Sequence, residues 1–211
     1  MVPSARGWTM DDLVNQALAR WPNVPSIAGW LKLSARGDWL LIGEVAAGLK
    51  ISHQNMRRFI DRNYASDQQG RWYFQNGPQK VFVNLEYTPW VFGLHPAQDG
   101  VCLLSHTRIA TLPNALYLDE EGNFVFQTPM GPGLLLGTDI EALSAFLTQT
   151  SQDRWTLDAP WILPAAQCCV ANDWTLDVVA QVSPKPGRLL AQPCLRCDLP
   201  AQLDFIVTPV I

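Results

Sequence analysis

Four cysteines in the second half of the sequence are the residues best suited to bind a metal ion. Cys194 and Cys197 have the C-x2-C spacing of half a tetrahedral zinc site, and Cys168 with Cys169 would supply the other two thiolates. Adjacent residues on a strand point to opposite faces, so the pair at 168 and 169 can bind one ion only if the chain bends there. A structural zinc ion and a redox-active thiol pair are the alternatives to ordinary buried thiols, which we expect.

A second set of possible zinc ligands lies near the middle of the chain. His95, Asp99, Cys102 and His106 follow one another at short intervals, and Cys102 and His106 would share one face of a strand. The spacing fits none of the common zinc patterns. We expect a buried cysteine and a hydrogen-bonded histidine, with a metal ion or a Cys-His nucleophile as the alternative.

The sequence lacks other familiar catalytic devices. It contains no Gly-x-Ser-x-Gly nucleophile turn, and Gly131-Pro132-Gly133 is a poor phosphate loop because Pro132 has no N–H and no lysine follows in the required position. The carboxylates Asp119, Glu120 and Glu121 fall in a predicted turn, where solvation keeps carboxyl pKa values ordinary. We therefore predict no cofactor and favour a non-enzymatic role, leaving enzymatic activity open.

The densest group of aromatic residues lies in a predicted β-hairpin from Arg71 to Tyr87. Its turn contains Asn76-Gly77-Pro78, and Asn-Gly is a strong hairpin signal. Aromatic residues together with arginine are typical anchors of protein interfaces. We predict that this hairpin and the neighbouring helix expose a binding face made of Arg58, Arg62, Arg71, Trp72, Tyr73, Gln75, Asn76 and Lys80.

A helix is predicted from about Ser52 to Tyr64, immediately before the hairpin. With a first helix at Glu44–Leu49 and the segment Gln75–Lys80 as a wing, this order resembles a winged helix-turn-helix. DNA-binding domains of that type carry a stronger basic stripe. Nucleic-acid binding is therefore a second alternative, and a solvated basic face is the simpler interpretation.

Bulk properties indicate an α+β protein with a core of its own. The 211 residues are 48% hydrophobic, and no apolar run reaches the length of a membrane span. Residues 1–93 hold ten basic and seven acidic residues, whereas residues 94–211 hold five and twelve, so the halves carry +3 and −7. We predict two modules, 1–93 and 94–211, built from antiparallel β-hairpins that are each packed by one or two helices. Two smaller hairpins are predicted at Gly29–Ile42 and Ala115–Thr128.

The motifs WPNVP, GRWYFQNGPQ and LEYTPW, with the segments LYLDEEGNFVFQT and DLPAQLDFIVTP, resemble those of a family of uncharacterised bacterial proteins with a domain of unknown function. The plan hairpin, helix, hairpin is also similar to a second uncharacterised bacterial family. These resemblances imply the fold and a bacterial origin, and they carry no catalytic residues across.

Together these observations favour a cytoplasmic protein that binds a partner protein or a second copy of itself. The low cysteine density and the absence of a signal peptide favour the cytoplasm, and the sequence indicates no membrane association. The alternative is an enzyme or a small-molecule-binding domain with a pocket at the module boundary, near His95 to His106.

Overall fold

The computed structural model describes residues 11–43, 48–97, 99–150, 154–163, 177–178 and 187–211. The described chain forms two compact units: the first contains residues 11–89 together with Asp204–Ile211, and the second contains residues 90–203. The division therefore falls at Pro89 rather than after Gly93, and the last eight residues do not belong with the second unit as predicted. They return because backbone hydrogen bonds join them to the first unit, from Ile206 N to Gly70 O and from Leu85 N to Val207 O.

Within the described residues, the first unit is a six-stranded sheet with two helices. The strands follow the order β3-β2-β1-β6-β5-β4, and the neighbouring strands are antiparallel except for the parallel pair β1 and β6. The elements in chain order are α1 (Asp12–Arg20), β1 (Ile27–Leu33), β2 (Trp39–Leu41), β3 (Leu49–Lys50), α2 (Gln54–Arg62), β4 (Tyr64–Ser66), β5 (Trp72–Asn76) and β6 (Gln79–Leu85).

The core of this unit is an aromatic cluster between α2 and the sheet. The ring of Tyr64 lies 5.0 Å from those of both Trp39 and Trp72, and Phe59 on α2 meets Phe74 edge-on at 5.4 Å. The Tyr64 hydroxyl donates to the carbonyl of Pro89 at 3.0 Å, so its buried polar atom is satisfied. Trp39 and Trp72, two of the tryptophans of the first unit, are therefore core residues.

Two predicted hairpins of the first unit are present. β5 and β6 pair around Gly77, and β1 and β2 pair around Gly37; both glycines have positive φ, 56° and 78°. In the register of the smaller hairpin, Trp39 lies opposite Leu33 rather than opposite Trp30. Since side chains alternate along a strand, Trp30 lies on the other face of the sheet.

Within the described residues, the second unit is a ten-stranded sheet with short helices at its margins. The strand order is β13-β14-β16-β10-β11-β12-β7-β8-β9-β15, in which β10/β16, β12/β7 and β15/β9 are parallel. The elements are β7 (Trp90–Ala97), β8 (Gly100–Ser105), β9 (Ile109–Thr111), β10 (Ala115–Leu118), β11 (Phe124–Thr128), β12 (Gly131–Leu135), a 3-10 turn (Gly137–Asp139), α3 (Ile140–Ser144), β13 (Leu147–Gln149), β14 (Trp155–Leu157), β15 (Asp177–Val178), β16 (Leu189–Pro193) and α4 (Leu199–Gln202).

The α+β class is confirmed, and so is the hairpin between β10 and β11. The sheets are not purely antiparallel, because parallel pairs join one hairpin to the next. The helices of the described part have at most nine residues, well short of the roughly 20 needed to cross a bilayer, and none qualifies as a membrane span.

Candidate binding surface

The hairpin predicted as the binding face is largely closed to solvent. Trp72, Tyr73 and Gln75 are only 5%, 8% and 1% exposed. Trp72 belongs to the core cluster on the α2 side of the sheet, and Tyr73 packs against Phe82 at 6.1 Å. The prediction that these side chains point outward to a ligand is therefore wrong: both faces of β5 have neighbours within the unit.

The basic residues of the predicted face bind groups of the same unit. The guanidinium of Arg71 lies 4.4 Å from the ring centre of Phe82 and pairs with Asp67 at 2.8 Å. The ammonium of Lys80 lies 4.4 Å from the ring centre of Tyr73, and Arg62 pairs with Asp11 at 2.9 Å. Arg71 and Lys80 therefore lie over aromatic rings of their own unit, and Arg62 is held by an acidic residue of that unit.

Two members of the predicted face remain to be placed. Asn76 is exposed at the tip of the hairpin, and Arg58 is half-buried on α2. The eight predicted residues thus do not form one exposed patch.

The hydrogen bond from Arg62 to Asp11 lowers the pKa of that carboxyl, so Asp11 stays ionised and holds the arginine.

The winged helix-turn-helix interpretation is not supported by the described residues. Its first helix was expected at Glu44–Leu49, but Leu49 and Lys50 form β3, and residues 44–47 lie outside the described part. The predicted recognition helix, α2, packs onto the sheet through the edge-on contact of Phe59 with Phe74 and through buried Ile60. The described residues of this unit therefore show no helix pair of the kind that places a recognition helix in a DNA groove.

The histidines and the cysteine in the middle of the chain do not assemble a ligand set. His95 lies opposite Cys102 in the β7–β8 pair, and Cys102 is fully buried. His106 lies beyond β8, where its Nδ1 accepts a hydrogen bond from Val91 N and its ring lies 5.5 Å from that of Trp90. Among the described residues no three potential ligands converge on one point.

Cys194 and Cys197 are free thiols in acidic surroundings, while Cys168 and Cys169 fall outside the described residues. Burial, together with the nearby carboxylates of Asp119, Glu120 and Asp198, raises the pKa of Cys194 to about 11. Burial and Asp198 also raise the pKa of Cys197. Both thiols are therefore protonated at neutral pH and are poor nucleophiles.

Part of the exposed apolar surface of the first unit lies on β2 and β3. Leu41 sits between Leu31 and Leu49 in the strand register, so the three side chains lie on the face that α2 covers. Their exposure rises along this row from 3% through 37% to 62%. The hydrophobic face of the sheet thus continues past the edge of the core into solvent.

Apolar groups are also exposed on the opposite face of the same strands. Trp30 is an exposed residue of β1, and its carbonyl accepts a hydrogen bond from Ile42 N at 3.0 Å. In the next row of the register, Leu40 lies between Lys32 and Lys50. We call the set Trp30, Leu41, Leu49 and Met56 the β2–β3 corner, because it combines exposed apolar residues from both faces.

Met56 is the member of this set that lies on α2. It is 44% exposed although it lies one helical turn before the buried Ile60, on the same side of the helix. Arg57 beside it is half-buried and has no acidic partner in the described part of the chain. The corner therefore has exposed apolar side chains and, next to Met56 in the chain, a positive charge that has no ion partner among the residues that the structure describes.

Sequence reasoning missed this surface because its residues have the pattern of core residues. The hairpin GWLKLSARGDWLL alternates like any half-buried strand, and Met56 falls on the apolar stripe of α2. A signal of this edge in the sequence is the short apolar stretch after Gly48, which forms β3 with two residues.

Comparisons with known proteins found two similar solved structures and one matching family. A DUF1285 family protein from Silicibacter pomeroyi DSS-3 is similar over 72% of this chain and 86% of its own, with 14% identity and a TM-score of 0.47. A DUF1285 family protein from Shewanella baltica OS155 is similar over 56% of this chain and 91% of its own, with 14% identity and a TM-score of 0.38. No curated protein matches the chain. Residues 10–210 match the family DUF2944, described as "Protein of unknown function (DUF2946)", and the chain belongs to that family.

Proposed function

We propose that this protein is a binding protein whose β2–β3 corner holds an extended, apolar segment of a partner protein. The observation that carries the proposal is the rise in exposure along Leu31, Leu41 and Leu49, three residues on one face of one sheet. Exposure of Leu41 and Leu49 to water does not stabilise the monomer. Covering a leucine fully is worth about 1.5–3 kcal/mol, and a partner would recover part of that.

The position of β3 supports an extended partner segment. β3 is the last strand in the order of the six-stranded sheet, so an incoming strand can add to its outer edge by backbone hydrogen bonds. The side chains of that strand would then lie next to Leu49 on one face and Lys50 on the other.

The charge at the corner supports an acidic residue in the partner. Arg57 has no ion partner within the described residues and lies next to exposed Met56. Lys50 pairs with Asp38 at 2.7 Å and Lys32 with Glu86 at 3.7 Å, so these lysines are already compensated. An apolar segment that carries one carboxylate next to Arg57 would complement the surface.

The proposal places the protein in the cytoplasm. Cys102, Cys194 and Cys197 are free thiols, which suits a reducing compartment.

The test is affinity capture from extracts of the organism that encodes the protein, with quantitative identification of retained proteins. We expect a set of proteins retained by the wild type to be reduced at least tenfold by Leu49→Glu and by Met56→Glu, because each change places a charge in the apolar contact. Leu190→Glu alters an exposed leucine of the second unit and is the matched control, which should retain the full set. Equal retention by all four proteins would overturn the proposal.

A further inference from the structure

The segment Asp204–Ile211, here called the return segment, is inserted between two strands of the hairpin. β5 and β6 pair from Tyr73 opposite Phe82 to Asn76 opposite Gln79. If the same register continued away from the turn, before the start of β5 and up to the end of β6, Gly70 would lie opposite Leu85. Instead, Ile206 N donates to Gly70 O and Leu85 N donates to Val207 O, both through the return segment. The diverging strands thus form a groove that accepts an extended chain.

Side chains fix the return segment in this groove. Phe205 and Pro209 are buried, whereas the alternate residues Ile206, Thr208 and Val210 are exposed. The Arg71 guanidinium donates to the carbonyl of Val210 at 3.3 Å. A Cβ on Gly70 would meet the Asp204 carbonyl at 2.7 Å, so the groove requires glycine at that point.

The connection that leads into the return segment is short and conformationally unusual. α4 ends at Gln202, Leu203 caps it, and Asp204 has φ 56° in the left-handed region. The chain passes from the second unit to the first within these two residues. Short hinges under strain favour the exchange of the segment that follows them between copies of a protein.

We propose that two copies of this protein exchange their return segments, each placing Phe205 and Pro209 in the groove of the other. The contacts that residues 205–211 make with the groove are the same in the exchanged form, because these residues and their receptor strands are identical in both copies. The exchanged form additionally releases Asp204 from its left-handed conformation. Exchange therefore rests on the hinge and the groove, and it does not involve the β2–β3 corner.

The first experiment measures the mass of the full-length protein by light scattering across a concentration series. Asp204→Gly removes the strain of the closed hinge and should weaken the dimer about tenfold. Asp204→Pro fixes φ near −65°, which opens the hinge and should increase the dimer fraction. Leu49→Glu is the control that leaves the dimer fraction unchanged. A wild type and an Asp204→Pro variant that both stay monomeric would overturn the proposal.

The second experiment identifies the exchanged segment and does not depend on any hinge variant folding. A photo-crosslinking residue replaces exposed Thr208, and ¹⁴N-labelled and ¹⁵N-labelled proteins are unfolded and refolded together. In the dimer fraction, we expect crosslinks between residue 208 of one copy and the groove strands of the other copy. The two peptides joined by such a crosslink would carry different nitrogen isotopes. Crosslinks that only join peptides of one isotope in that fraction would show that the segment stays in its own chain.

Discussion

Arg71 illustrates how a residue with the character of a binding anchor can serve the fold instead. Its Nε donates to Asp67 at 2.8 Å, while the other oxygen of that carboxylate accepts hydrogen bonds from Gln69 N and Arg71 N, both at 3.0 Å. Burial raises the pKa of Asp67, but the hydrogen bonds from Arg71 and Gln69, together with the positive charge of Arg71, outweigh burial and bring the pKa below its usual value. The ionised carboxylate thereby closes the loop and holds the guanidinium over Phe82.

We expect Asp67→Asn to lower the free energy of unfolding by about 1–3 kcal/mol at pH 7. The pKa of Asp67 is lower in the folded than in the unfolded protein, so this stabilisation is present above the unfolded pKa of about 4 and is lost as the pH falls through the folded pKa. Urea unfolding from pH 7 to pH 2 should show the difference between wild type and variant shrinking at the acidic end.

The control for this prediction is Asp158→Asn. Asp158 pairs with Arg188 at 3.3 Å, but both side chains are more than half exposed, and we expect a change below about 0.5 kcal/mol. A difference between wild type and Asp67→Asn that stays constant down to pH 2 would contradict the role given to the carboxylate.

At the scale of elements, the parallel pair β7 and β12 depends on one glycine. Gly133 lies opposite Trp90 in the register, and a Cβ on it would collide with the ring of Phe92. We expect Gly133→Ala to lower the free energy of unfolding by about 1–3 kcal/mol, since the fully buried Phe92 ring has little room to move.

Gly137→Ala is the matched control, because a Cβ at that position meets nothing within 4 Å. Thermal unfolding of both variants checks the prediction. Equal melting temperatures would mean that β12 does not pack against β7 as described.

The hairpins could be predicted from the sequence because their determinants are local. Gly77 and Gly37 turn the chain, and alternation on either side defines the strands. Glycine and proline commonly interrupt strands, yet Gly131, Pro132 and Gly133 begin β12, which pairs with β7. Likewise, β16 pairs with β10 and with β14. The partners in these pairs lie far apart in the sequence, so local patterns do not predict the pairings.

The binding surface could not be predicted for the same reason. Alternation shows that Tyr73 and Trp72 point to opposite faces, but it does not show whether each face has a neighbour. Leu49 and Leu33 are equivalent in a hydrophobic pattern, and only the strand order makes the first an edge residue. Burial of the aromatic hairpin and exposure of the β2–β3 corner are properties of the assembled sheet.

At the scale of the whole molecule, Leu31 and Leu49 lie in one row of the sheet register but should contribute differently to the free energy of unfolding, because they differ in exposure. We expect Leu31→Ala to cost about 2–4 kcal/mol in the free energy of unfolding, because its side chain is buried. Leu49→Ala should cost less than about 0.5 kcal/mol, because most of that side chain is already in water. Urea unfolding of the two variants checks this pair, and equal costs would show that Leu49 belongs to the core.

The measurement that tests the account most directly is hydrogen exchange of the protein, alone and with a captured partner. We expect the partner to slow exchange in segments 39–43 and 48–58, because they contain β2, β3 and the start of α2. Segment 72–82 should be unchanged, since its aromatic residues are already buried. Protection confined to 72–82, with none at the corner, would contradict the account.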